Sequence, residues 1–208
     1  MNKTINEVLE DVWGFINHTL NRPKELETAI AAGFTKKQFE DALKLYNKTI
    51  ELKQVETTAE GRRMSATSAL NEAIDALKKH YGKMIEISKK LFKEDVMIIK
   101  RLELKGIRKS KYAERRMQIF NFYSAILNDA ALLEHYVASN ITKEYISEGM
   151  KLYKEMVSLK LVQETDEEER SEAQNIYEAN AQQLYTWYTN TSGMIKSWKK
   201  LNITPKTK

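Results

Sequence analysis

The chain has no cysteine, two prolines and seven glycines among 208 residues. Without thiols it can build no disulfide scaffold, thiolate zinc site, iron–sulfur cluster or cysteine nucleophile. Glycine and proline together fall well below their usual share of about 12 %. That excludes collagen-like and Gly/Pro-rich disordered chains, and it leaves few turn residues for a many-stranded sheet. Long apolar runs are missing as well. Residues 96–99 form one of the longest, whereas a membrane-spanning helix needs about 20 apolar residues. The opening MNKTINEVLEDVWG carries acids from Glu7 onward and no apolar stretch, so no secretory signal is visible. The expectation is a cytoplasmic protein that does not engage a membrane. Hydrophobic residues make up 42 % of the chain and 19 side chains are aromatic, enough for a real core and too many for global disorder.

Catalytic and metal-binding patterns are sparse. The histidines are His18, His80 and His135, and the residues three places before them are Phe15, Leu77 and Leu132. The Glu-x-x-His pattern of helical di-metal sites is therefore absent. No Gly-x-Ser-x-Gly elbow and no glycine-rich phosphate loop occurs. Neither a metal, a cofactor nor an enzymatic activity is expected.

The strongest positive signal is an internal repeat. At an offset of 107, residues 1–101 align with 108–208 without a gap, with 102–107 as the joint, and over a fifth of the positions are identical. Thr35 and Lys36 fall on Thr142 and Lys143, and Lys44-Leu45-Tyr46 falls on Lys151-Leu152-Tyr153. Leu52-Lys53 falls on Leu159-Lys160, and Phe15, Leu20, Arg63, Leu77 and Tyr81 each recur. Conservative exchanges include Val12/Ile119, Trp13/Phe120 and Leu43/Met150.

Each repeat reads as three helical segments. In the first, Thr4 with Glu7 forms a capping box, and Ile5, Val8, Leu9, Val12, Ile16 and Leu20 keep the spacing of one buried face. Pro23 cannot donate an N–H, so it predicts a break near 21–23. The second repeat has Ala130 there and predicts one continuous helix over about 111–138. Gly33 ends the first segment, Thr35 with Gln38 caps the second, and Thr57 with Glu60 predicts a short turn and a third. Thr165 with Glu168 is the corresponding cap in the second repeat, and 189–193 is a weak stretch where the last helix could fray. Short connections make neighbouring helices antiparallel. The expected fold is all-α, a tandem duplication of a three-helix antiparallel unit. Its roughly six helices would form one pseudo-twofold bundle or two packed bundles.

Several residues are candidates for function. Glu27 and Glu134 match across the repeats and extrapolate onto the buried stripe, where a carboxylate needs a partner; Lys53, Lys160, Arg63 and Arg170 are matched cations. Aromatics number seven in 1–101 and twelve in 108–208. Trp187, which stands where the first repeat has His80, belongs to that surplus, and aromatic surplus suits interfaces and pockets. Tyr46, Tyr81, Tyr153 and Tyr188 are repeated candidates for the wall of a ligand cavity. Residues 100–116 carry eight basic and two acidic side chains, Lys105, Arg108, Lys109, Lys111, Arg115 and Arg116 among them, while 164–172 hold six acids and one arginine. Opposed blocks of this kind can drive self-association, and acids there also suit a helix N-terminus.

Together these features point to a non-enzymatic helical interaction or assembly protein whose partner is another protein or itself, with a homodimer as one form. A second expectation is small-molecule binding in an aromatic-lined cavity between helices. A third is weak binding of nucleic acid or an acidic partner through 100–116; no nucleic-acid motif accompanies that charge.

Overall fold

The computed structural model describes residues 4–106 and 111–203, and every regular element among them is a helix. The order is α1 (Ile5–Asn21), α2 (Pro23–Ala31), α3 (Lys36–Leu91), α4 (Val96–Arg101), α5 (Tyr112–Leu127), α6 (Ala130–Ala138) and α7 (Lys143–Ile203).

The helix starts follow local chemistry. The Thr4 hydroxyl accepts from the Glu7 amide at 3.3 Å and the Glu7 carboxylate accepts from the Thr4 amide at 2.7 Å, so two otherwise orphaned N–H groups are satisfied reciprocally. Thr35 and Gln38 repeat the device, at 3.3 and 2.8 Å. Pro23 opens α2 after an extended Arg22, as the sequence predicts. The stop after α2 needs a left-handed residue: Gly33 has φ +96°, and 107 residues later Asn140 takes the same role with φ +63°. Asparagine is the side chain that tolerates this conformation best after glycine.

Three helix expectations are corrected. The turns predicted at Thr57 and Thr165 do not occur, and α3 and α7 run straight through them. Instead the Thr57 hydroxyl donates to the Lys53 carbonyl at 2.9 Å and that of Thr165 to Leu161 at 3.1 Å. A threonine inside a helix can turn its hydroxyl back on the preceding turn, so the capping pattern arises without a break. The continuous helix expected over 111–138 is divided in two. Asp129 is extended and accepts from the Leu132 amide at 3.0 Å, so a capping carboxylate starts α6 where a proline starts α2. The weak stretch 189–193 is helical, with the Thr189 hydroxyl donating to Tyr185 and Thr191 and Ser192 buried.

Asp129 also pairs with Arg101 of α4. The Leu132 amide first, then Arg101, hold its carboxyl below the ordinary range. Asp129→Ala is expected to lower Tm by about 2–4 °C at neutral pH. Because the native carboxyl is held low, the deficit should shrink as pH falls through the carboxylate range, where the wild type loses the same contribution. Paired thermal scans at two pH values check both.

The chain divides into two compact units, Met1–Arg62 with Glu167–Lys208, and Arg63–Asp166. In the first, Leu9, Val12 and Ile16 of α1 close on Ala42 of α3 and on Tyr177 and Leu184 of α7. Ala29, Phe39 and Ile195 form a second cluster beside it. Here α3 and α7 run antiparallel. Lys53 lies 5.0 Å over the Tyr177 ring, Arg170 meets Glu60 at 3.0 Å, and Arg62 meets Glu169 at 2.6 Å. These ion pairs are part-exposed and set register more than they add stability, at about 0–1 kcal/mol each.

The second unit packs Leu77, Tyr81 and Met84 of α3 against Ile119, Phe122, Tyr123 and Ile126 of α5, Tyr136 of α6 and Ile146 of α7. Leu102 and Leu104, in the stretch that the sequence marks as a joint, are each 1 % exposed and belong to this core.

Candidate functional site

The second unit holds two buried polar pairs. His80 of α3 lies between α5 and α7: its Nδ1 is 2.7 Å from the Tyr123 hydroxyl and its Nε2 is 3.0 Å from the Tyr145 carbonyl. A carbonyl only accepts, so Nε2 carries the hydrogen and Nδ1 accepts from Tyr123. The ring also stacks on Tyr145, with centroids 4.5 Å apart. Burial lowers the His80 pKa, against the opposing pull of the Tyr145 carbonyl. Eight residues along α3, Ser88 donates to the Met84 carbonyl and accepts from the Tyr136 hydroxyl, both at 2.6 Å. Burial pushes the Tyr123 phenol up strongly and the Tyr136 phenol up to about 12. Every polar atom of these pairs has a partner and both phenols stay protonated. The arrangement fixes helix register; it presents no activated nucleophile.

Tyr123 has its place because Gly149 has no side chain. A Cβ at 149 would lie 2.2 Å from Tyr123 Cζ and 2.5 Å from its hydroxyl.

The residues 107 positions away show how linked these choices are. The counterparts of His80, Tyr123 and Gly149 are Trp187, Ile16 and Ala42, all in the core of the first unit. The counterparts of Ser88 and Tyr136 are Ile195 and Ala29, which sit in one apolar cluster there. Both hydrogen-bonded pairs of the second unit thus have apolar residues at the matched positions of the first.

Beside this core, Ile74, Leu77, Ile119 and Met156 floor a groove of about 140 Å³. Arg115, Arg116 and Lys78 edge it together with Tyr112, whose hydroxyl lies 3.9 Å from the Met156 sulfur. Lys78 is held by Asp75 at 3.0 Å. The Arg116 Nε is buried with no hydrogen-bond partner.

The sequence candidates are distributed as follows. Tyr46 and Tyr188 are partly buried in the first unit, and Tyr188 meets Phe15 edge-on at 5.3 Å. Tyr81 is buried and Tyr153 partly buried in the second. None of the four lines the groove. Trp187 packs into the first unit's core, 5.5 Å from Phe39 and 5.9 Å from Phe15. Glu27 and Glu134 are exposed, against the expectation of a buried stripe. The breaks before α2 and α6 reset the helical phase, so counting seven residues on from Leu20 or Leu127 no longer points inward. Their supposed partners are engaged elsewhere, Lys53 with Glu56 at 2.8 Å, Lys160 with Glu164 at 3.4 Å and Arg170 with Glu60.

Of the basic stretch, Arg101 pairs with Asp129 and Arg115 and Arg116 edge the groove. Lys105 and Lys111 are exposed, and Arg108 and Lys109 lie outside the described residues. Among the described residues no helix is long and apolar enough to cross a membrane, and no group of three His, Cys, Asp or Glu could hold a metal ion.

Sequence inspection did not find the His80–Tyr123 pair, Gly149 or the groove. The readable signal was the joint exchange of His80, Tyr123 and Gly149 for Trp187, Ile16 and Ala42, which becomes meaningful only when the three are known to touch. No protein-family model, curated protein or solved structure matches the chain.

Proposed function

We propose that the chain is a tandem duplication, with repeats 1–101 and 108–208 about a joint at 102–107. In this reading it works as a non-enzymatic assembly module that associates with further copies of itself. The element bounds support the duplication: α5, α6 and α7 begin at 112, 130 and 143, each 107 residues after α1, α2 and α3. Each compact unit also joins segments from both repeats, the arrangement expected of an ancestral pair that exchanged helices and was later fused.

The observation that carries the assembly reading is a set of apolar side chains left on the surface in both repeats. Trp13 and Phe120 are 52 % and 38 % exposed, and Ile30 with Val137 and Val55 with Val162 are exposed as matched pairs. Single exposed hydrophobics need no explanation. Here, however, most positions have diverged while the same exposed positions stay large and apolar, which core packing does not require. An interface does require it.

Native mass spectrometry over about 1–100 µM protein is expected to give clean multiples of 24.2 kDa that grow with concentration. Trp13→Glu with Phe120→Glu should weaken association by at least about tenfold and leave the helical content unchanged. A single 24.2 kDa species at every concentration would overturn the reading.

A further inference from the structure

We infer that the groove on the second unit binds a compact amphiphilic anion, a carboxylate carried on an aryl or short alkyl body. The floor of Ile74, Leu77, Ile119 and Met156 offers hydrocarbon and sulfur only. Its volume of about 140 Å³ matches the size of cavity that accepts one benzene-sized body. A purely apolar guest would leave the edge unused. Arg115 and Arg116 stand there with Lys78, and no acidic side chain among the described residues lines the groove.

Arg116 carries the argument furthest. Its Nε is buried and makes no hydrogen bond. That nitrogen is closed to a ligand as it is to water, so the terminal N–H groups of the Arg116 guanidinium, at the edge of the groove, are the ones an anion oxygen would meet. Guanidinium suits a carboxylate in particular, since its N–H groups form a fork that meets two oxygens at once.

The comparison within the chain agrees, and this part of the inference rests on the duplication. The counterpart of Arg116 is Leu9, which is 4 % exposed in the core of the first unit, and the counterpart of Arg115 is Val8, packed against that core. Position 116 is thus one that the other unit fills with hydrocarbon. Replacing leucine by arginine there gives up packing, and what it gains is a cation over an apolar floor. Hydrocarbon below and charge at the mouth is the pattern of small-ligand sites that orient an amphiphile.

Benzoate is the probe, titrated into the full-length protein by isothermal calorimetry. The expected dissociation constant lies between about 0.1 and 1 mM, the range a ligand of nine heavy atoms can reach. Benzyl alcohol should bind at least about tenfold more weakly for want of the charge, and inorganic phosphate likewise for want of the ring. Arg116→Leu installs the residue of the matched position, so it should fold, with Tm unchanged or raised, and lose at least about tenfold in benzoate affinity. Arg116→Lys should bind benzoate more tightly than Arg116→Leu does. No heat of binding for benzoate, equal affinity for benzoate and benzyl alcohol, or wild-type affinity in folded Arg116→Leu would each overturn the inference. The mass of the protein in solution is no readout of this site, so the assembly proposal is decided separately.

Discussion

Gly149→Ala should destabilise the chain by about 1–3 kcal/mol, the range for forcing extra volume into a packed core. The direction is the notable part, because glycine to alanine inside a helix ordinarily gains about 0.5–1 kcal/mol. Here the added Cβ would lie 2.2–2.5 Å from Tyr123 Cζ, Cε1 and Oη. The ring has no room to retreat: it is fully buried, it packs against Phe122 with centroids 5.2 Å apart, and its hydroxyl is tied to His80. The first unit already contains the compatible alternative, Ala42 with Ile16 and Trp187. The triple variant Gly149→Ala, Tyr123→Ile, His80→Trp should therefore be more stable than Gly149→Ala alone, although it carries two further core substitutions. Urea denaturation of the two variants checks this; a triple variant no better than the single one would mean that the three positions are not coupled.

His80→Leu is expected to cost about 1–3 kcal/mol, because it leaves the Tyr123 hydroxyl and the Tyr145 carbonyl without their partner. Removing both members of the pair should cost less than the sum. The double variant His80→Leu, Tyr123→Phe should fall short of additivity by about 1 kcal/mol, the signature of a hydrogen bond rather than of two separate packing losses. The same pair predicts a pH effect. His80 has a lowered native pKa because it is buried. As pH falls through about 6.5 the unfolded chain takes up the proton first, so the His80 contribution is intact above that value and declines below it toward the depressed native pKa. Denaturation curves between pH 7.5 and about 5 should show this decline in the wild type, and a shallower one in His80→Leu.

The helical class, the 107-residue spacing, the caps at Thr4 and Thr35 and the break before Pro23 were all readable from single residues and their neighbours. The caps and the break depend on backbone chemistry within one turn, and the spacing on a direct comparison of the two halves of the chain. The misreadings share a different cause. Thr57, Thr165 and Asp129 have more than one local use, and which is realised depends on the surrounding packing: a threonine can cap a start or bond back inside a helix, and an aspartate can lie on a surface or begin a new helix. Glu27 and Glu134 were misplaced because a stripe was extended across a phase break. The site was less legible still. Gly149 looks like an ordinary glycine until Tyr123 is set against it, and Arg116 looks like one more cation in a basic run until its Nε is found buried. Residues far apart in sequence define both features, and one-dimensional spacing carries no record of such pairings.

The two compact units differ in how they relate to synthesis of the chain. Arg63–Asp166 is one uninterrupted segment, whereas the other unit needs Met1–Arg62 together with Glu167–Lys208. As the chain leaves the ribosome, the inner unit has all its residues first. Leu9, Val12 and Ile16 must wait for Tyr177 and Leu184, more than 150 residues later, before their apolar faces are covered. During that interval the apolar face of α1 has been made but not covered. Of the two units, the one that includes α1 accordingly stays longer in need of protection from premature association.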